Sequence, residues 1–197
     1  MTQSQKHPTE IRRPLVAVIG DSTVEQGSVK ERMAVETGRA LVDAGYRVLT
    51  GGLGGVMEAA CRGARESQQY RSGDTVAVVP GHDPRAANAF VDVAIASGLD
   101  HGRNLVVAHA DAIVAIGGGA GTLSEICFAW IYKRLIVALR VDGWSGKIAD
   151  QRVDDRIRYP GIPDDRVFGA STASEAVDIL QARMHEFCGQ HHGVAKR

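Results

Sequence analysis

Four glycines in five positions, Gly117, Gly118, Gly119 and Gly121, stand directly before Thr122 and close to Glu125. Glycine accepts positive φ and leaves backbone N–H groups bare, so such a run lets a ligand come against the main chain. The apolar run 112–116 before it reads as a buried strand, and 123–132 after it reads as a helix. A helix start carries unpaired amides and a partial positive charge, which suits a phosphate. Gly118, Gly119, Gly121 and Thr122 are therefore the expected anion cradle, with the Thr122 hydroxyl as an added donor. Glu125, about one turn further on, places a carboxylate beside the anion and points to chemistry on the sugar of a nucleotide. Thr122-x-x-Glu125 also has the form of a capping box, in which Glu125 would only close helix amides.

A second glycine run, 51–55, follows another predicted strand. Gly51, Gly52 and Gly55 form either the facing wall of a nucleotide pocket or only a tight strand-to-helix turn. Met57, just beyond, is a polarisable contact for a base or a plain core residue. Asp21 and Ser22 follow the first strand and are either ligand contacts or turn residues. Arg103 and Asn104 lie early in a helix expected over 101–110, and the planar fork of Arg103 suits phosphate or ribose. His82, Asp83 and Asn88 belong to a loop expected at the rim. His101 and His109 read as surface or capping histidines. Asp111 precedes the central strand at its amino end, where a structural role is expected. The loop after the first strand, Gly20-Asp21-Ser22-Thr23, lacks the G-x-G-x-x-G fingerprint of a dinucleotide dehydrogenase.

These residues need a frame, and the alternation of elements supplies one. Apolar runs at 15–19, 112–116 and 135–139, and the run 75–79 that is apolar after Thr75, read as strands of a parallel sheet covered on both faces. Residues 46–50 form a further strand, 91–96 a shorter one, and 167–168 a last short one. Ser28 with Glu31 opens a helix that Gly45 stops, and Thr172 with Glu175 opens the closing helix to 187. Another helix spans 56 to about 68. The segment 143–163 is the least regular. The rhythm implies a single Rossmann-like α/β domain: a doubly wound, mostly parallel sheet with helices on both faces. In such sheets ligands sit at the carboxyl ends of the strands, where both glycine runs and Pro80-Gly81 fall.

With 197 residues the chain suits one domain, expected over 14–187 between flexible tails at 1–13 and 188–197. Acidic and basic residues balance at 23 each, which gives no reason to expect nucleic acid or an anionic membrane as partner. Residues 1–14 are polar without an apolar core, so no signal peptide is expected. No run reaches the roughly 18 apolar residues of a membrane span. The three cysteines, Cys61, Cys127 and Cys188, are scattered, without the spacing of a metal site. They read as reduced thiols of a cytoplasmic protein.

Four motifs in this order, Thr50-Gly-Gly-Leu-Gly-Gly-Val-Met-Glu58, Val79-Pro-Gly81, residues 98–104 and residues 117–125, resemble the LOG-like superfamily over roughly 15–139. That group includes the lonely guy phosphoribohydrolases, long mislabelled lysine decarboxylases, and the molybdenum cofactor carriers. The motif forms look closest to the short branch that contains the carriers. In the hydrolases the glycine loop binds a nucleotide 5′-phosphate, while an arginine and the motif's glutamate help cleave the N-glycosidic bond. The resemblance implies phosphate binding at Gly118, Gly119, Gly121 and Thr122, action of Glu125 on the ribose, and Arg103 as the arginine. It also implies a homodimer or higher homo-oligomer.

Two departures separate this chain from the hydrolases. Gly117 replaces the family's proline. The enzymes carry Met-His-x-Arg-Lys where this chain has Leu-Asp-His-Gly-Arg-Asn at 99–104. An ungapped count puts Arg103 at the family's lysine, one residue or about 100° round a helix from its arginine. Three readings follow. One is a nucleoside 5′-monophosphate phosphoribohydrolase acting on an AMP-like nucleotide, with no cofactor required. The second is a carrier that holds molybdenum cofactor without turnover. The third is a non-catalytic nucleotide sensor. No residue suggests a Schiff-base lysine or a bound metal.

Overall fold

The computed structural model describes residues 12–188. Seven strands form one sheet: β1 (Leu15–Gly20), β2 (Arg47–Thr50), β3 (Thr75–Val79), β4 (Val93–Ala96), β5 (Ala112–Ile116), β6 (Leu135–Leu139) and β7 (Phe168–Ala170). Their order across the sheet is β4-β3-β2-β1-β5-β6-β7. Every pairing is parallel. The fold is the expected Rossmann-like α/β layer. Strand order reverses between β1 and β5, whose register runs Val16↔Ala112 to Gly20↔Ile116. A crevice opens at the carboxyl ends of strands at such a reversal.

Helices α1 (Val29–Asp43), α2 (Val56–Arg65) and α6 (Ala173–Cys188) cover one face. Helices α3 (Asn104–Val107) and α4 (Ala120–Ile131) cover the other, with α5 (Trp144–Ile148) beside α4. Alternation along β1 divides the core: Val16 and Val18 pack under α1 and α2, while Ala17 and Ile19 face the α3–α4 layer. Val16, Val18 and Ile19, fully buried, each contribute about 1.5–3 kcal/mol. Helices α1 and α2 touch backbone to backbone, because any Cβ at Gly38 would strike the Ala60 carbonyl and one at Gly63 the Val35 carbonyl.

Ser28 caps α1, accepting from the Glu31 N–H at 3.3 Å. Thr172 accepts from the Glu175 N–H at 3.1 Å, as the capping pattern predicts. Strand bounds shift by one or two residues, with β4 starting at Val93 rather than 91 and β7 running to Ala170, and three helices differ more. Helix α2 ends at Arg65, short of 68. Helix α4 begins at Ala120, so part of the glycine run is its first turn. The helix expected over 101–110 is a 3-10 turn, Asp100–Arg103, followed by the four-residue α3. The chain reaches this turn through positive φ at Gly98 (64°) and Asp100 (48°).

Because α3 is so short, the sheet face near β4 is thinly covered. Ile95, Leu99, Leu105 and Val106 remain 38–53% exposed. The irregular stretch 143–163 is anchored by Arg158, whose guanidinium lies 3.6 Å from the Trp130 ring centroid. Arg158 donates to Asp165 at 2.9 and 2.6 Å and to the carbonyls of Trp130 and Arg134.

Of the expected tails, residues 1–11 and 189–197 lie outside the described residues. Arg12 and Arg13, at the end of the first, are held to the body: Arg12 bonds Asp111 at 2.6 Å, and Arg13 bonds Asp74 at 2.5 Å. Asp111 also accepts from the Leu15 N–H at 2.8 Å, the structural role its position predicts.

Candidate functional site

A cavity of about 420 Å³ lies at the carboxyl ends of β1 and β2 beside the start of α4. Its walls come from four segments. The β1 end supplies Ile19, Gly20, Asp21 and Ser22. The β2 end and α2 supply Gly51, Leu53 and Met57. The 3-10 turn and α3 supply His101, Arg103 and Asn104; Gly119 at the cap of α4, and Gly121, Thr122 and Glu125 within it, complete the wall. The switch point thus brings together residues more than 100 positions apart.

The glycine loop bends sharply at Gly117 (φ 65°) and Gly118 (φ 92°) before α4 starts behind Gly119. No side chain caps this helix, so its first amides are left to whatever enters the cavity. The loop is fastened from behind. Gly117 N–H donates to the Ser145 hydroxyl at 2.7 Å, and that hydroxyl donates to the Leu139 carbonyl at 2.7 Å. The N–H groups of Trp144 and Ser145 donate to the carbonyls of Gly118 and Gly117.

Thr122 sits at the third position of α4 rather than at its cap, so the capping-box role for Glu125 does not arise. The Thr122 hydroxyl donates to the Gly20 carbonyl at 3.1 Å and joins β1 to α4. What Thr122 leaves for an anion is its main-chain N–H. The Glu125 side chain, 7% exposed, turns to the cavity, where Arg103 Nη1 is 3.4 Å from Oε1. Burial pushes the Glu125 carboxyl up to about 7, with Arg103 opposing.

Arg103 also reaches the crevice. Its guanidinium lies against Gly51, where any Cβ would collide with it. The rotation inferred from a continuous α-helix does not apply, since Arg103 closes a 3-10 turn. Asn104 borders the cavity, but its Nδ2 is spent on the Ser124 hydroxyl (2.8 Å) and the Gly121 carbonyl (3.4 Å), fastening α3 to α4. Asp21 pairs with Lys30 at 2.7 Å. Its carboxylate lies so close to Gly117 that a side chain there would strike it.

Three glycines expected at the site shape it without lining it. Gly52 (φ 78°) backs onto Ala77 and Val79, and Gly55 (φ 65°) lets the second loop press on the backbone of residues 21–23. Gly118 makes room for Thr122. The rim loop is structural as well: Asn88 Nδ2 holds the carbonyls of Gly52 and Leu53, and Asp83 pairs with Arg85. Three lining side chains lie outside the sequence-based expectation: Ile19, Leu53 and His101. His101 reads as a surface histidine although it stands two residues before Arg103, Leu53 stands between glycines, and Ile19 reads only as part of a buried strand.

An open parallel sheet, with a helix start and an arginine facing one crevice at its switch point, defines a Rossmann-like α/β protein. Residues 13–163 match the model of the SLOG cluster4 family, and the chain belongs to that family. The solved structure of TM1055 is similar, with a TM-score of 0.72 and 32% identity over 86% of this chain and 99% of that one. The molybdenum cofactor binding protein of the phototrophic bacterium Rippkaea orientalis superposes with a TM-score of 0.70 and 26% identity over 87% and 98% of the two chains. The molybdenum cofactor carrier protein of Chlamydomonas reinhardtii gives 0.69 and 26% over 88% and 99%. The resemblance to the LOG-like group and its carrier branch is therefore sound.

Proposed function

We propose that this protein binds a phosphorylated pterin of the molybdenum-cofactor type at the β1–β5 crevice and carries it without turnover. The observation that carries this reading is the uncapped start of α4, opening into a cavity that Arg103 also lines. Main-chain amides of residues 119–122 and the Arg103 fork suit the phosphate. Leu53 and Met57 offer an apolar wall to a flat heterocycle. Likeness to two molybdenum cofactor proteins over nearly their whole lengths favours this cargo over a mononucleotide. The pterin's chemistry stays its own; the chain's part is to hold the phosphate and shield the ring from water.

The test is to mix purified protein with molybdenum cofactor, measure what is retained after gel filtration, and follow its oxidation in air. Retention with slowed oxidation supports the carrier. Indifference to the cofactor together with tight AMP binding overturns it.

One observation favours a second reading, the phosphoribohydrolase. Glu125 is a buried carboxyl whose proton affinity lies near neutrality, as a catalytic acid or base requires, and Arg103 stands beside it. Release of free base from AMP or an N6-substituted adenine ribotide, abolished by Glu125→Gln, would establish it. We also infer that copies of the chain associate. The exposed Leu99, Leu105 and Val106, at the 3-10 turn and on α3, are the surface that contact would cover. Sedimentation of wild type and Leu105→Glu tests this; a monomeric wild type overturns it.

A further inference from the structure

Glu125 and Arg103 are each undersupplied with partners. A guanidinium has five donors. Among the described residues, the Arg103 side chain, 11% exposed, makes one hydrogen bond, the long one to Glu125. The Glu125 carboxylate accepts that bond alone. Other buried carboxylates here are held differently. Asp74 accepts from two nitrogens of Arg13 and from the Arg71 N–H, and Asp165 accepts two bonds from Arg158. A buried carboxylate with a single weak donor is costly unless it takes a proton or a ligand completes its shell.

We infer that Glu125 meets the ligand as a neutral acid, donating its carboxyl proton to a ligand oxygen that Arg103 also holds. This rests on the reading of the α4 start as an anion anchor. An anion arriving there attracts the guanidinium, which is the counter-charge Glu125 has. Two negative charges in one buried pocket then favour protonation of the carboxyl. The proton affinity that burial already confers on Glu125 makes this step small.

The surroundings agree. The 3-10 turn presents Arg103 and His101 to the cavity, and the β1–α1 loop presents Asp21, itself held by Lys30 of α1. From α2 the cavity receives the uncharged Met57; Glu58 lies beside Gly54, outside it. Strands β5 and β6 are wholly apolar, and Asp154 is engaged with Trp130 at the other end of α4.

The inference narrows the ligand. Arg103 and a protonated Glu125 form a set of donors, which selects an oxyanion or an oxo group. A ribose diol would donate instead and keep Glu125 ionised. Each anion bound at neutral pH or above therefore brings one proton with it.

Sulfate is the suitable probe, because it stays a dianion throughout the neutral range whereas a phosphate monoester titrates there. Binding of radiolabelled sulfate to the full chain is measured by equilibrium dialysis from about pH 6 to 8.5, for wild type, Glu125→Gln and His101→Asn, each checked for folding by circular dichroism. Wild-type affinity is expected to be flat below about pH 7 and to fall above it by up to about tenfold per pH unit, the slope of one proton taken up. Glu125→Gln, whose amide still donates, should bind with no such slope, and His101→Asn should keep it. A flat wild-type profile, or a slope that survives in Glu125→Gln or disappears in His101→Asn, overturns the inference while leaving the anion anchor intact. Absence of sulfate binding at every pH overturns the anchor itself.

Discussion

Arg103 and Glu125 stand 22 positions apart and meet at 3.4 Å across the crevice, one from a 3-10 turn and the other from the second turn of α4. Their meeting depends on Gly51, over which the guanidinium lies. Three segments with no local relation to one another therefore determine one contact.

Gly51→Ala tests that dependence. The new methyl occupies the guanidinium's place, so Arg103 must leave the crevice. What yields is the tip of a flexible side chain, so urea unfolding should change by less than about 1 kcal/mol, while sulfate affinity should fall at least about tenfold. Unchanged binding would show that Arg103 does not serve the anion.

Gly121→Asp separates stability from binding. A Cβ at Gly121 meets nothing closer than Asn104 Nδ2 at 4.0 Å. An acidic side chain in the first turn of a helix is favourable by about 0.3–1 kcal/mol. The variant should melt at or slightly above the wild-type temperature, yet lose anion binding by more than about tenfold through like-charge repulsion. Binding equal to wild type in a dialysis assay would remove the α4 start from the site.

Glu125 also governs a pH dependence of stability. Unfolded, its proton leaves near the ordinary value of 4.5; folded, it leaves at about 7. Between these values the native state holds more protons than the unfolded one, so stability falls as pH rises through the interval. The loss is on the order of 3 kcal/mol and complete above about pH 7. Glu125→Gln lacks the titrating group and should gain on wild type by that amount across the same interval. Denaturant melts at a series of pH values check this, and parallel curves for the two proteins would refute it.

Arg158 and Asp165 make a buried pair, 1% and 3% exposed. Arg158→Met alone strands the carboxylate and should cost about 3–5 kcal/mol, whereas Arg158→Met with Asp165→Leu should recover most of it. A double-mutant cycle by urea unfolding measures the coupling. Additive losses would show that the pair contributes nothing as a pair.

Much of the frame was legible in the chain because β1, β3, β5 and β6 are largely apolar runs closed by turn residues, a pattern that local sequence carries. The early start of α4 was hidden because Ala120 and Gly121 add nothing to the apolar periodicity of a helix. The 3-10 turn was hidden because residues 101–110 have helical composition, and nothing in their types marks the positive φ that Asp100 adopts just before them. At the site, the glycine run announced a helix start open to a ligand. That Arg103 faces Glu125, that the Thr122 hydroxyl is claimed by Gly20, and that Lys30 holds Asp21 are contacts between segments. No spacing along the chain encodes them.

The hydroxyl of Ser145 grips both the amide of Gly117 and the carbonyl of Leu139, and the next residue back, Trp144, is tied by its N–H to Gly118. The ends of β5 and β6 are yoked through that one small side chain. Trp144 is half-buried while the chain's other indole, Trp130, is sealed inside. A displacement of the glycine loop would pass through these bonds to a half-buried indole, so Trp144 emission is the expected optical reporter of a ligand entering the crevice.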